Sequence, residues 1–94
     1  MTQPVAPTTP LDLLTPELIR AEVARFLSRY VDDPHTLESE RLLTGGLLDS
    51  LAAVELIGHL ERRFGVSVLD DDLEIENFDS LAAVTAFVVR KRQT

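Results

Sequence analysis

Two serines, two histidines and a run of acids are the side chains here whose types and spacing could do chemistry. Ser50 closes the run Gly45-Gly46-Leu47-Leu48-Asp49-Ser50-Leu51, where a glycine-bearing loop turns into an amphipathic segment. A hydroxyl held at a helix start, exposed and beside an acid, is well placed to be modified by another enzyme. His59 follows nine residues on, so it sits about 13–14 Å further along the axis and on the opposite face of the helix. It therefore does not serve Ser50 as a base, and His35, in a long loop, is the remote alternative. No Gly-x-Ser-x-Gly elbow and no Ser-His-Asp set is present, which argues against a hydrolase. Asp70, Asp72, Glu74 and Glu76 imitate the spacing of a calcium loop. Ile75, however, stands where that loop needs glycine, and Leu81 where it needs a bidentate glutamate. No catalytic residue and no metal ligand is expected.

The elements that must position Ser50 follow from caps and periodicity. Thr15-Pro16-Glu17 is a helix start: a capping hydroxyl, proline at the first helical position, an acid in the first turn. Ile19, Val23, Phe26, Leu27 and Tyr30 then form one buried stripe. Asp32-Asp33-Pro34 ends that helix, because proline disfavours a helical residue before it. Residues 31–48 read as a long connection without period, pinned by Leu37, Leu42, Leu43, Leu47 and Leu48. Gly45-Gly46 supplies a turn just before the serine. The next helix begins at Asp49 or Ser50, places Leu51, Val54, Ile57, Leu60 or Glu61, and Phe64 at helical spacing, and stops at Gly65. Val66 and Val68 read as an extended linker. Asp70-Asp71-Asp72 can cap a short helix carrying Leu73 and Ile75, with Phe78 plugging the core. Asp79-Ser80 caps the last helix, with Leu81, Val84, Phe87 and Val88 facing inward and Arg90-Lys91-Arg92 at the end that favours cations. The expected fold is all-α: a small four-helix bundle of three main helices and one short one, with a long loop between the first two.

Composition narrows the function. The chain has 94 residues and a net charge of −7, from 16 acids against 9 bases. A chain of this length is one domain that buries about 60–65% of its unfolded surface, which leaves little room for a deep cleft. The acidic balance argues against nucleic acid, which needs a basic footprint, and favours partners with basic surfaces. There are no cysteines, so disulfides and thiolate metal sites are excluded and a reducing compartment is expected. No apolar run approaches a membrane span and residues 1–10 do not form a secretory signal. The expectation is a cytoplasmic monomer without membrane contact, with a disordered Pro/Thr-rich tail over 1–12 and one domain over 13–94.

The hexapeptide Asp-Ser-Leu-Ala-Ala-Val occurs twice, at residues 49–54 and 79–84. Ser80 follows Phe78 closely, has no glycine loop before it, and opens a helix uncharged from Leu81 to Val89. It reads as an N-cap worth about 1 kcal/mol. Ser50 follows Gly45-Gly46, and its helix carries Glu55 and Glu61. The flanking residues of the two copies do not match, so this is no tandem repeat. Context selects Ser50.

Asp49-Ser50-Leu51 is a short motif. Joined to Glu55-Leu56, to Leu60-Glu61-x-x-Phe64-Gly65-Val66-x-Val68 and to Asn77-Phe78-x-Ser80-Leu81, it resembles the acyl carrier protein family over Leu18 to Lys91. The resemblance implies a non-catalytic carrier whose Ser50 holds 4′-phosphopantetheine, derived from coenzyme A, with an acyl group as thioester on its thiol. A phosphodiester at Ser50 would gain about 0.3–1 kcal/mol from the helix N-terminus. The resemblance also implies a docking surface of Asp49, Leu51, Glu55 and Glu61. The implied partners are a phosphopantetheinyl transferase, an acyl-loading enzyme, and acceptor synthase or tailoring enzymes. Gly58 and Arg62 depart from the pattern of fatty-acid carriers, which have a larger apolar residue and an acid there. The stretch Asp71 to Phe78 looks most like freestanding carriers of polyketide and mixed peptide pathways, including antibiotic biosynthesis. Some of those carry short, glycerate-derived extender units such as methoxymalonyl or hydroxymalonyl. An aminoacyl carrier of a nonribosomal peptide pathway is the alternative, and an acidic helical interaction module without prosthetic group is the alternative of another class.

Overall fold

The structure, a computed structural model, describes residues 14–93. The tail expected over 1–12 lies outside the described residues. Among the described residues five α-helices follow one another: α1 (Pro16–Leu27), α2 (Pro34–Ser39), α3 (Ser50–Phe64), α4 (Ile75–Phe78) and α5 (Leu81–Arg92). The all-α class and the three main helices are as expected. Among the described residues there is no strand, and no helix is long and apolar enough to cross a membrane.

Local chemistry explains the boundaries. Thr15 caps α1 by accepting the Leu18 N–H at 3.2 Å, with Pro16 in the first turn. Gly65 ends α3 at φ 69°, the left-handed conformation that glycine adopts at little cost. Ser80 caps α5 by accepting the Ala83 N–H at 3.0 Å.

Two local expectations need correction. The connection over 31–48 is not structureless, because Asp33 accepts the His35 N–H at 3.0 Å and Pro34 opens α2. The proline that ends one helix is also a good first residue for the next. Leu37 inserts into the core and Arg20 pairs with Glu38 at 2.7 Å, which ties α2 down. Secondly, Asp70–Asp72 forms a 3₁₀ turn of its own rather than capping a helix at Leu73. The Asp72 carboxylate turns back onto the Leu69 N–H at 2.9 Å and takes Lys91 at 2.7 Å. That closes the turn, and α4 starts only after Glu74.

One core joins the elements. Ile19, Val23, Phe26 and Leu27 of α1 meet Leu81, Val84, Phe87 and Val88 of α5, and Leu56, Leu60 and Phe64 of α3 complete it. Phe78 plugs one end, its ring 5.0 Å from that of Phe87. The buried stripe of α3 is Ala52, Leu56, Leu60 and Phe64; of the residues at helical spacing, Leu51 and Val54 face solvent and Ile57 is half-buried. The α3 pattern carries two apolar stripes, and packing against α1 and α5 selects the one that contains Leu56 and Leu60.

Candidate functional site

Ser50 is the first residue of α3 and is exposed. Its hydroxyl makes no hydrogen bond to any described residue. The residue before it does the capping: Asp49 Oδ1 accepts the Ala52 N–H at 2.8 Å. The first turn of a helix leaves backbone N–H groups without intrahelical acceptors, so the Ser50 oxygen stands at the positive end of a 15-residue helix.

The loop before Ser50 is tightly built. Gly46 sits at φ 81°, where a side chain would be strained. At Gly45 an added Cβ would lie 2.2 Å from the Arg41 carbonyl oxygen, so only glycine fits. The Gly46 N–H donates to Leu43 O at 3.1 Å and the Leu48 N–H to Leu42 O at 2.8 Å. Leu42 and Leu48 are buried in the core, and Leu43 and Leu47 pack against it, as expected.

The loop is held from the far side by a residue expected only to cap. Asp79 is buried, and its carboxylate accepts the Leu43 N–H at 2.7 Å, the Thr44 N–H at 2.9 Å and the Thr44 hydroxyl at 2.7 Å. Arg41 adds a longer contact at 3.3 Å. Burial pushes the carboxyl pKa up, and the bonds from Thr44, Leu43 and Arg41 more than offset it, leaving Asp79 below the ordinary carboxylate range. The one sequence signal for this role is an acid placed directly after a core phenylalanine.

The surface around Ser50 is mixed. Leu51 and Val54 are 68% and 65% exposed, and they lie one helical turn apart beside the serine. Val54 was not among the expected docking residues. Tyr30, expected to finish the α1 stripe, is half-buried against the core and also reaches α3, where its hydroxyl donates to the Glu55 carboxylate. That bond pushes the phenol pKa up. Tyr30, Leu47, Asp49, Leu51, Ala52 and Glu55 enclose a shallow hollow of about 200 Å³. Of the four expected docking residues, Asp49, Leu51 and Glu55 therefore gather near Ser50. Glu61 does not. It is about 16 Å further along the helix axis, and its carboxylate accepts the Val68 N–H at 2.9 Å, which ties down the linker after α3.

On a different face, Leu43, Ala53, Ile57, Leu73, Ile75 and Phe78 line a small apolar groove of about 170 Å³, with Leu73 and Ile75 more than half exposed at its rim. Neither histidine lines the hollow or the groove. His59 is packed between α1 and α3, its ring stacked on Phe26 at 4.4 Å. Its Nε2 is buried without a partner, and burial pushes its pKa down. His35 is exposed on α2. Arg62 lies over Gly58, its guanidinium 3.1 Å from where a Cβ would stand, so the two departures from the fatty-acid pattern are one spatial feature.

The family described as "Phosphopantetheine attachment site" matches residues 17–88, most of the chain. Comparison with curated proteins returned no match.

Proposed function

Because the chain belongs to the phosphopantetheine attachment family, we propose that Ser50 is the residue whose hydroxyl carries the arm. When bound, 4′-phosphopantetheine supplies a terminal thiol that holds an acyl group as a thioester. One observation carries the choice of Ser50 over Ser80. The Ser50 hydroxyl is exposed and free of internal bonds, whereas the Ser80 oxygen is half-buried and occupied by the Ala83 N–H.

The chemistry asked of this chain is small. In the transferase, the Ser50 Oγ–P bond forms as the P–O bond to the 3′,5′-ADP half of coenzyme A breaks. The serine proton passes to a base outside this chain. What Ser50 receives from its own fold is presentation, together with a helix N-terminus that favours the phosphodiester charge by about 0.3–1 kcal/mol. Asp49 orders that first turn through its bond to Ala52.

The pathway reading is a polyketide or mixed polyketide/peptide route with short, extender-type cargo. It rests on the likeness of Asp71 to Phe78 to carriers of those routes. The groove of about 170 Å³ is a surface feature that suits short cargo. Leu51 and Val54 provide apolar contact for the transferase, the loading enzyme and the acceptor synthase, and Asp49 and Glu55 provide charge.

Incubation with coenzyme A and a promiscuous phosphopantetheinyl transferase tests the assignment by intact mass. Wild type and Ser80→Ala gain the mass of one arm, and Ser50→Ala gains none. Modified Ser50→Ala beside unmodified Ser80→Ala would reverse it.

A further inference from the structure

We propose that Asp79, from the second copy of the hexapeptide, is a positioning residue for the modification of Ser50; this rests on Ser50 being the attachment residue. A carboxylate only 3% exposed is expensive to bury, and here every donor that compensates for the burial belongs to the loop leading to Ser50. Leu43 N–H, Thr44 N–H and the Thr44 hydroxyl all converge on it within 2.9 Å, with Arg41 at 3.3 Å. The backbone of the same residue takes part, since Asp79 O accepts the Leu42 N–H at 2.8 Å. One residue of the α4–α5 junction therefore grips three consecutive loop residues.

That grip reaches Ser50 through short, defined steps. Leu42 O accepts the Leu48 N–H, Leu48 is bonded to Asp49, and Asp49 caps the turn that Ser50 begins. Gly45 and Gly46 between these points adopt a shape that only glycine allows. Loss of the carboxylate leaves the Leu43 and Thr44 N–H groups without acceptors, and the loop samples forms that do not present the serine. A transferase that accepts only the presented form then binds more weakly in proportion to its population, while turnover of the bound complex is kept.

Initial rates of arm addition, measured with coenzyme A and a promiscuous transferase, separate this from a merely structural role. Asp79→Ala is expected to raise KM for the carrier about ten-fold with kcat nearly unchanged. Asp79→Asn, which keeps an oxygen acceptor, restores part of that loss, and Thr44→Val, which removes one donor, causes a smaller rise. Val84→Ala, buried in α5, lowers the melting temperature without moving KM. Amide exchange at Leu43 and Thr44 accelerates in Asp79→Ala, while α1 and α5 stay protected. Wild-type KM in a folded Asp79→Ala overturns the positioning role alone, as does an equal rise in Val84→Ala. If Asp79→Ala does not fold, Asp79→Asn decides: wild-type KM in that variant also overturns it. Wild type that takes no arm overturns the Ser50 reading and this inference with it.

Discussion

The two copies of Asp-Ser-Leu-Ala-Ala-Val are identical in sequence and differ by one residue in where the helix begins. In the first copy Asp49 is the cap and Ser50 is already helical. In the second Ser80 is the cap, and Asp79 lies one position before that cap. Each side chain consequently does something different. Asp49 bonds its own helix, while Asp79 reaches across to the Leu43–Thr44 backbone. Ser50 is free and Ser80 is occupied. Leu51 is 68% exposed, and Leu81 is 2% exposed. Six residues do not determine what each side chain does; the one-residue offset does, and it comes from what precedes each copy. Phe78 is anchored in the core just before the second copy, whereas a glycine turn precedes the first.

Paired substitutions break or sharpen this contrast. The largest difference is expected at the leucines. Leu81→Ala costs about 2–5 kcal/mol of stability as a buried deletion, and Leu51→Ala stays within about 0.5 kcal/mol as a surface change. Chemical denaturation reads both. Leu51→Ala should instead weaken modification of Ser50 by a transferase, since its exposed side chain is proposed as contact surface. A large loss of stability there would put Leu51 in the core and undo the offset.

The aspartates come next. Asp79→Ala strands part-buried donors, a loss of about 1–3 kcal/mol, against about 1 kcal/mol for loss of the Asp49 cap. Acid titration adds a second reading. The folded pKa of Asp79 is depressed, so its contribution is complete above its ordinary value of 3.8 and is lost as pH falls through the folded value. Stability curves of wild type and Asp79→Asn should therefore converge below that pH, and parallel curves would refute the carboxylate clamp.

For the serines the expected stability effect is about 1 kcal/mol at Ser80→Ala and within about 0.5 kcal/mol at Ser50→Ala. Thermal melts resolve the difference, and equal losses would mean that Ser50 caps after all. The smallest effect lies outside the hexapeptides, at His59. Its folded pKa is lowered, so the unfolded state binds the proton more readily and stability declines as pH falls below 6.5. His59→Phe keeps a ring on Phe26 and should flatten that part of the curve.

The helices themselves were readable from spacing and caps. Thr15-Pro16, Gly65 and Ser80 mark their boundaries through local backbone chemistry, which needs no distant partner. The α1 stripe is readable as well, because that helix has one dominant apolar face; α5 is apolar on most sides, and Leu81, Val84, Phe87 and Val88 are its buried residues. Ser50 stood out for a similar reason, since a glycine pair followed by Asp-Ser describes a local shape. Other features depended on residues far apart in the chain. Two stripes of α3 compete in its sequence, and only packing against α1 and α5 leaves Leu51 and Val54 outside. Tyr30 packs against the core and also bonds Glu55 across a helix pair. Glu61, expected on the docking surface, is exposed and also bonds the Val68 N–H.

Asp79 shows the division most clearly. In sequence it is one more capping acid. Its neighbours in space are residues 35 and 36 positions earlier, and no local pattern encodes that meeting. Spacing along the chain determined which segments become helices and where a serine could be offered. The fold decided which faces stay wet and which carboxylate holds the loop, because burial and hydrogen-bond partners are set by packing between segments.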